Sequence, residues 1–211
     1  MELTKGVHLL EAMKGSYVYL ILGEEPVLID TGMPGKAEDV VKALAQLGMK
    51  PTDIAHILLT HQDVDHIGNA KALKEASGAT LWAPGAEIPY IHGETRAQGI
   101  RGIISRLMRV DRPAVDRSYE AGRVIGGMEV LPAPGHTEGH VCLLYRDVLL
   151  AGDLVMTRKG KLRPSPTFLA WNKPLLDRSI RDVGMREFAW VCPAHGEPVA
   201  RGNLWEGMTG K

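Results

Sequence analysis

An apolar run, AHILLT, leads without a break into Thr60-His61-Gln62-Asp63-Val64-Asp65-His66-Ile67-Gly68, and no other stretch restricts the fold so tightly. Four ionisable side chains within six residues make a poor core unless something compensates their charge and polarity. The segment is therefore either a solvated polar loop or a set of ligands. On an extended turn after a strand, alternate side chains point the same way. His61 and Asp63 then face one ion while Asp65 and His66 swing toward another. Imidazole and carboxylate donors together suit Zn, Fe, Mn or Co rather than Ca.

Other segments repeat the context. PAPGHTEGH places His136 on a glycine-bracketed turn after a strand, LLAGD ends an apolar run on Asp153, and WVCPAHGEP places His195 after another. IDTG puts Asp30 at a further strand end. Polar residues at the C-terminal ends of several strands are how an α/β scaffold assembles a site.

Between these points the chain reads as strands and helices in two successive halves. VHLLEA, SYVYLIL, PVLIDT, AHILLT and TLWAP predict strands in the first half. Helices are expected from about Lys36 to Leu47, closed by Gly48, and from Asn69 to Ala76. MEVLPAP, HVCLLY, DVLLAGD and FAWVCPAHG predict strands in the second half, ahead of a short C-terminal helix. This rhythm, with 24 Gly and 13 Pro among 211 residues, indicates a layered α/β domain with helices outside.

The five segments IDTG, THQDVDHIG, PAPGHTEGH, AGD and CPAHGEP resemble, in sequence order, the motif regions of the metallo-β-lactamase-fold hydrolase superfamily. The resemblance covers most of the chain. It implies a four-layer αββα sandwich formed by a single domain over residues 1–211, with two divalent metal ions, zinc foremost and iron or manganese as alternatives. Carried over by residue, it implies that His61, Asp63 and His136 hold the first ion. Asp65, His66 and His195 hold the second, and Asp153 bridges the pair. Asp30 orients the ligand loop through hydrogen bonds. Asp65 doubles as proton carrier to the leaving group.

Asp63 departs from the superfamily's commonest pattern, His-x-His-x-Asp-His. A carboxylate still donates oxygen to a metal but adds negative charge and a harder ligand, favouring Fe or Mn relative to an all-imidazole site. In this respect the segment is similar to that of flavodiiron proteins. The expected function is hydrolysis of a small ester-like substrate (thioester, lactone or related acyl compound) by a metal-activated hydroxide. The alternatives are an iron-dependent oxidoreductase, of the di-iron O₂/NO reductase or sulfur dioxygenase kind, and a non-catalytic metal-binding or sensor module.

With 25 basic and 25 acidic residues, the chain offers no general electrostatic reason to bind nucleic acid or an anionic membrane. A small-molecule substrate is expected. The N-terminal MELTKGVHLLEA lacks the pattern of an export signal, and the two cysteines, Cys142 and Cys192, are too few for a disulfide framework. Both point to a cytoplasmic protein with packed thiols.

The stretch from about 88 to 117 differs from its surroundings, mixing arginines with Ile100, Ile103, Ile104, Leu107 and Met108 at helical spacing. It is either an amphipathic helix packed on the core or a cap insertion supplying substrate contacts. His8 and His56 read as structural, His140 as a hydrogen-bonding support near His136, and His92 and Tyr90 as residues of the cap.

Overall fold

The structure is a computed structural model that describes residues 1–10, 15–97, 99–120 and 122–209. The chain divides into two compact units, 1–119 and 120–211.

The first unit is a seven-stranded sheet with helices. Its strands are β1 (Glu2–Thr4), β2 (Val7–Leu10), β3 (Val18–Ile21), β4 (Val27–Ile29), β5 (His56–Leu58), β6 (Thr80–Pro84) and β7 (Arg117–Tyr119), paired in that order. β1 to β4 run antiparallel as a meander; β4 to β7 are parallel. Parallel neighbours need crossovers, and helices supply them: α1 (Ala37–Gln46), α2 (Val64–Ile67), α3 (Ala70–Ser77), α4 (Ile88–His92) and α5 (Gly99–Leu107). The end of the expected strand VHLLEA, Glu11 and Ala12, lies outside the described residues.

α1 forms where Val40 and Leu44 recur one turn apart, and both are buried against Leu20, Leu28 and Ile57 of the sheet. Ile57 and Leu58 of β5 are wholly buried, each contributing about 1.5–3 kcal/mol by the usual transfer values. β5 is thus pinned in the interior of its sheet, between β4 and β6, which fixes the point from which the polar segment departs.

The second unit has a six-stranded sheet in the order β15-β14-β11-β10-β9-β8, built from β8 (Val124–Ile125), β9 (Met128–Pro132), β10 (Val141–Tyr145), β11 (Val148–Gly152), β14 (Trp190–Pro193) and β15 (Val199–Ala200). A separate hairpin joins β12 (Val155–Arg158) to β13 (Lys161–Pro164). Helices α6 (Lys173–Gly184) and α7 (Leu204–Thr209) complete the unit. Leu176, Ile180 and Val183 of α6 pack with Leu131, Leu149 and Trp205 in its core.

α6 and the hairpin are additions to the sequence reading. The helix start was encoded: the Asn172 side chain caps it, accepting from the Leu175 amide at 3.1 Å, with Pro174 in the first turn. The charged face of Lys173, Asp177, Arg178 and Arg181 diluted its apolar spacing. In the 88–117 stretch, the structure forms α4 ahead of the expected helix, and Ile100, Ile103, Ile104 and Leu107 of the expected apolar face all lie on α5. Ile100, Ile103 and Leu107 are 44%, 61% and 77% exposed, and no residue of α5 is fully buried. The apolar spacing there does not mark core packing. Among the described residues, no helix is long and apolar enough to cross a membrane.

Candidate metal centre

In the first unit the ligand segment begins just past β5. His61 is wholly buried, Asp63 occupies the N-cap position of α2, and Asp65 and His66 lie within that short helix. The backbone turns so that His61 Nε2 stands 3.5 Å from Asp63 Oδ2, while His66 Nε2 stands 3.9 Å from Asp65 Oδ2. Each imidazole of the segment thus stands near one of its carboxylates.

Asp30, just past β4, organises this segment. It is buried and holds a left-handed backbone, φ 56°, a region in which Asp is enriched among non-glycine residues. Its Oδ1 accepts the Thr60 amide at 2.7 Å, and its Oδ2 accepts the Thr60 hydroxyl at 2.8 Å and His66 Nδ1 at 2.8 Å. The carboxylate accepts, so His66 carries its proton on Nδ1. Thr60 Oγ1, having given its one proton to Asp30, accepts from His61 Nδ1 at 3.0 Å. Both imidazoles are thereby held with the lone pair on Nε2, the nitrogen aimed at the carboxylates. This is how proteins fix the tautomer of a metal-binding histidine.

Supports beyond Asp30 come from residues the sequence reading passed over. Glu87, completely buried, accepts the Gln62 amide at 2.9 Å. Thr31 donates to the His66 carbonyl at 2.7 Å, and the Asn69 side chain donates to the carbonyls of Thr31 and Met33 while accepting the Lys36 amide. Gly68 lies so close to this loop that a Cβ would sit 2.5 Å from the Gly32 carbonyl oxygen. Tyr119 donates to the Leu59 carbonyl; burial first, then the negative charges of Asp30 and Glu87, hold its phenol protonated well above the usual range. Arg101 of α5 reaches Asp63, its Nε lying 2.7 and 2.8 Å from the two carboxylate oxygens. Arg101 and Asp63 are 38 residues apart, and no local pattern links them.

In the second unit, Asp153 follows β11 and stands between two imidazoles. His136 Nε2 lies 3.2 Å from its Oδ2, and His195 Nε2 lies 3.3 Å from its Oδ1. His136 Nδ1 is 2.8 Å from the Ser165 hydroxyl. His140 accepts the Asp153 amide on Nε2 at 2.9 Å, and its Nδ1 lies 3.1 Å from the Ala133 carbonyl oxygen. It serves as a support for Asp153, as its position near the His136 turn suggested. Gly135, at φ 130°, presses against the Leu176 backbone, which holds the His136 turn on the start of α6. The Trp171 amide donates to the His136 carbonyl at 3.0 Å, and nearby Phe168 and Trp171 present exposed aromatic rings.

The remaining histidines have structural roles. His8 is buried in β2, His56 Nδ1 accepts Trp82 Nε1 at 3.3 Å, and His92 Nε2 accepts the Val115 amide at 3.2 Å. Cys142 and Cys192 are buried thiols without a disulfide.

The donor set fits a divalent metal on its own chemistry. All seven expected ligands are residues able to hold an ion, and within each unit every imidazole Nε2 faces a carboxylate. His140, by contrast, has both ring nitrogens on backbone groups.

Comparison with known proteins agrees. Residues 13–195 match the family model of the metallo-beta-lactamase superfamily. "Probable metallo-hydrolase YflN" of Bacillus subtilis is 28% identical over 99% of this chain and 90% of its own length. A hydroxyacylglutathione hydrolase of Albidiferax ferrireducens is 29% identical over 70% of this chain, which spans about half of that enzyme (51%). The crystal structure of the metallo-beta-lactamase family protein TTHA1429 from Thermus thermophilus superposes with a TM-score of 0.75 at 22% identity, covering 99% of this chain and 80% of that one. The chain belongs to the metallo-beta-lactamase superfamily, has its α/β fold, and is a metallo-hydrolase.

Proposed function

We propose that the chain hydrolyses a small acyl substrate, a thioester or lactone, at a centre of two divalent metal ions. In this reading His61, Asp63 and His136 hold the first ion, Asp65, His66 and His195 the second, and Asp153 both. The observation that carries it is the shared arrangement of His61, His66 and His136. Each has Nδ1 within hydrogen-bonding distance of an oxygen and Nε2 facing a carboxylate. When bound, such ions lower the pKa of water toward neutrality and stabilise negative charge on oxygen.

The chain's own residues do the rest. Asp30 and Thr60 keep two imidazoles in the ligating tautomer, and His140 keeps Asp153 in place. Asp65, 21% exposed at its side chain, is accessible enough to carry a proton to the leaving group. The exposed rings of Phe168 and Trp171, on a segment bonded to His136, offer an apolar surface for the acyl portion. The likeness to hydroxyacylglutathione hydrolases supports an acyl bond as the target. Balanced charge supports a small molecule over nucleic acid. Zinc is the metal proposed; the Asp63 carboxylate is the one feature favouring iron, and with it the oxidoreductase reading.

The test is hydrolysis of thioester, lactone and phosphodiester panels by the metal-analysed protein. Thioester or lactone turnover that disappears with chelator and returns with zinc is expected. A fully metallated protein that hydrolyses no acyl compound, or a coloured iron protein that reduces O₂, would overturn the proposal.

A further inference from the structure

We infer that Arg101 is the built-in counter-charge of Asp63, the pair standing together for the neutral imidazole that the superfamily commonly places at that position. The inference rests on the reading of Asp63 as a metal ligand. Replacing imidazole by carboxylate adds one negative charge beside His61. The guanidinium of Arg101 returns one positive charge to the same point, and it stays charged at every working pH. The two side chains are only 12% and 17% exposed, so the pair is screened far less than a surface ion pair. One N–H approaches both carboxylate oxygens, at 2.7 and 2.8 Å, which also limits rotation of the carboxylate.

The placement of α5 strengthens the point. None of its residues is fully buried, and Ile100, Ile103 and Leu107 face solvent. Apolar burial therefore does little to position this helix, whereas Arg101 carries a charge-assisted contact directly to the departing residue of the ligand motif. Arg101 is a positioning residue: it acts on the metal through Asp63.

The consequence is specific. Asp63→His alone, which recreates the commoner motif, leaves the Arg101 cation facing an imidazole and an ion. It should weaken zinc binding by about tenfold or more, given the strength of close charge pairs with little screening. Asp63→His combined with Arg101→Met should recover affinity to within about threefold of the native chain, because the two changes are coupled. Arg101→Met alone leaves the carboxylate uncompensated and should tighten zinc binding, whereas Arg101→Lys keeps the charge and should stay near native affinity.

The measurement is zinc affinity of the metal-stripped full chain, by competition with a chromophoric chelator. A double variant no better than Asp63→His alone, or weaker binding by Arg101→Met, would overturn the inference. If Asp63→His does not fold, the Met and Lys variants of Arg101 decide it, since tightening must follow loss of charge. His61→Ala separates the two levels: native zinc content in that variant would refute the metal-site reading and the pairing that rests on it, whereas loss of zinc there with a failed double variant would refute the pairing alone.

Discussion

His66 Nδ1 lies 2.8 Å from Asp30 Oδ2, and the same carboxylate oxygen accepts the hydroxyl of Thr60. One buried carboxylate thus sets the ring orientation of His66 directly and that of His61 through Thr60. Asp30→Asn keeps the shape, and Asn also tolerates the left-handed backbone, but its amide cannot accept on both arms. The expected outcome is metal affinity weakened by about 10–100-fold with the fold retained. Chelator competition alongside a thermal melt checks it.

Asp153 stands 3.2 and 3.3 Å from two imidazoles. Asp153→Ala is expected to lose metal and hydrolysis together, which metal analysis of the purified variant will show. Retention of two ions per chain would remove Asp153 from the bridging position.

Burial pushes the Cys192 thiol up to about 12 and holds Cys142 well above the ordinary range. At pH 8 only about one Cys192 in ten thousand is thiolate, the form that reacts. Neither thiol is expected to react with a disulfide reagent in the folded protein, and both should react on denaturation. Rapid labelling of the native protein would contradict the packing.

Asp116 sits where Lys74 and the Leu81 amide meet its two oxygens. Burial opposes its charge, but the hydrogen bonds from Lys74 and Leu81, with the positive charges of Lys74 and Arg117, prevail and lower its pKa. A lowered folded pKa means that the unfolded chain binds the proton more tightly. The contribution is complete above the ordinary carboxylate value and is lost as pH falls through the folded one. Asp116→Asn should lower Tm by about one or two degrees at neutral pH, a small effect because the pair is partly solvent-screened. The difference should vanish in acid, and melts across pH 2 to about 7 test it.

The legibility of this chain followed the reach of each interaction. His61, Asp63, Asp65 and His66 announce themselves because four ionisable groups follow a strand whose Ile57 and Leu58 must be buried. Asp153 and His195 do so because each follows an apolar run, and His136 because it sits on a glycine-bracketed turn after a strand. α1 was legible from its apolar spacing. Arg101, Glu87 and Ser165 were not, since each acts across 25 to 38 residues and nothing local distinguishes an arginine that reaches Asp63 from one in solvent. α5 misleads for a related reason: spacing reveals that a helix has an apolar face, not whether anything covers it. α6 was hidden by its charged side, although Asn172 and Pro174 marked its start.

The Asn69 side chain ties three backbone groups of the 31–36 loop, and Gly68 lets that loop close directly over the turn after α2. The bed on which His61 and His66 rest is therefore tied by bonds within the polypeptide itself. An incoming cation would find its nitrogen donors already posed, so little ordering entropy is charged to its capture. Its effect on the melting point should then follow simple mass action, rising with the logarithm of free ion rather than switching a disordered chain into a folded one.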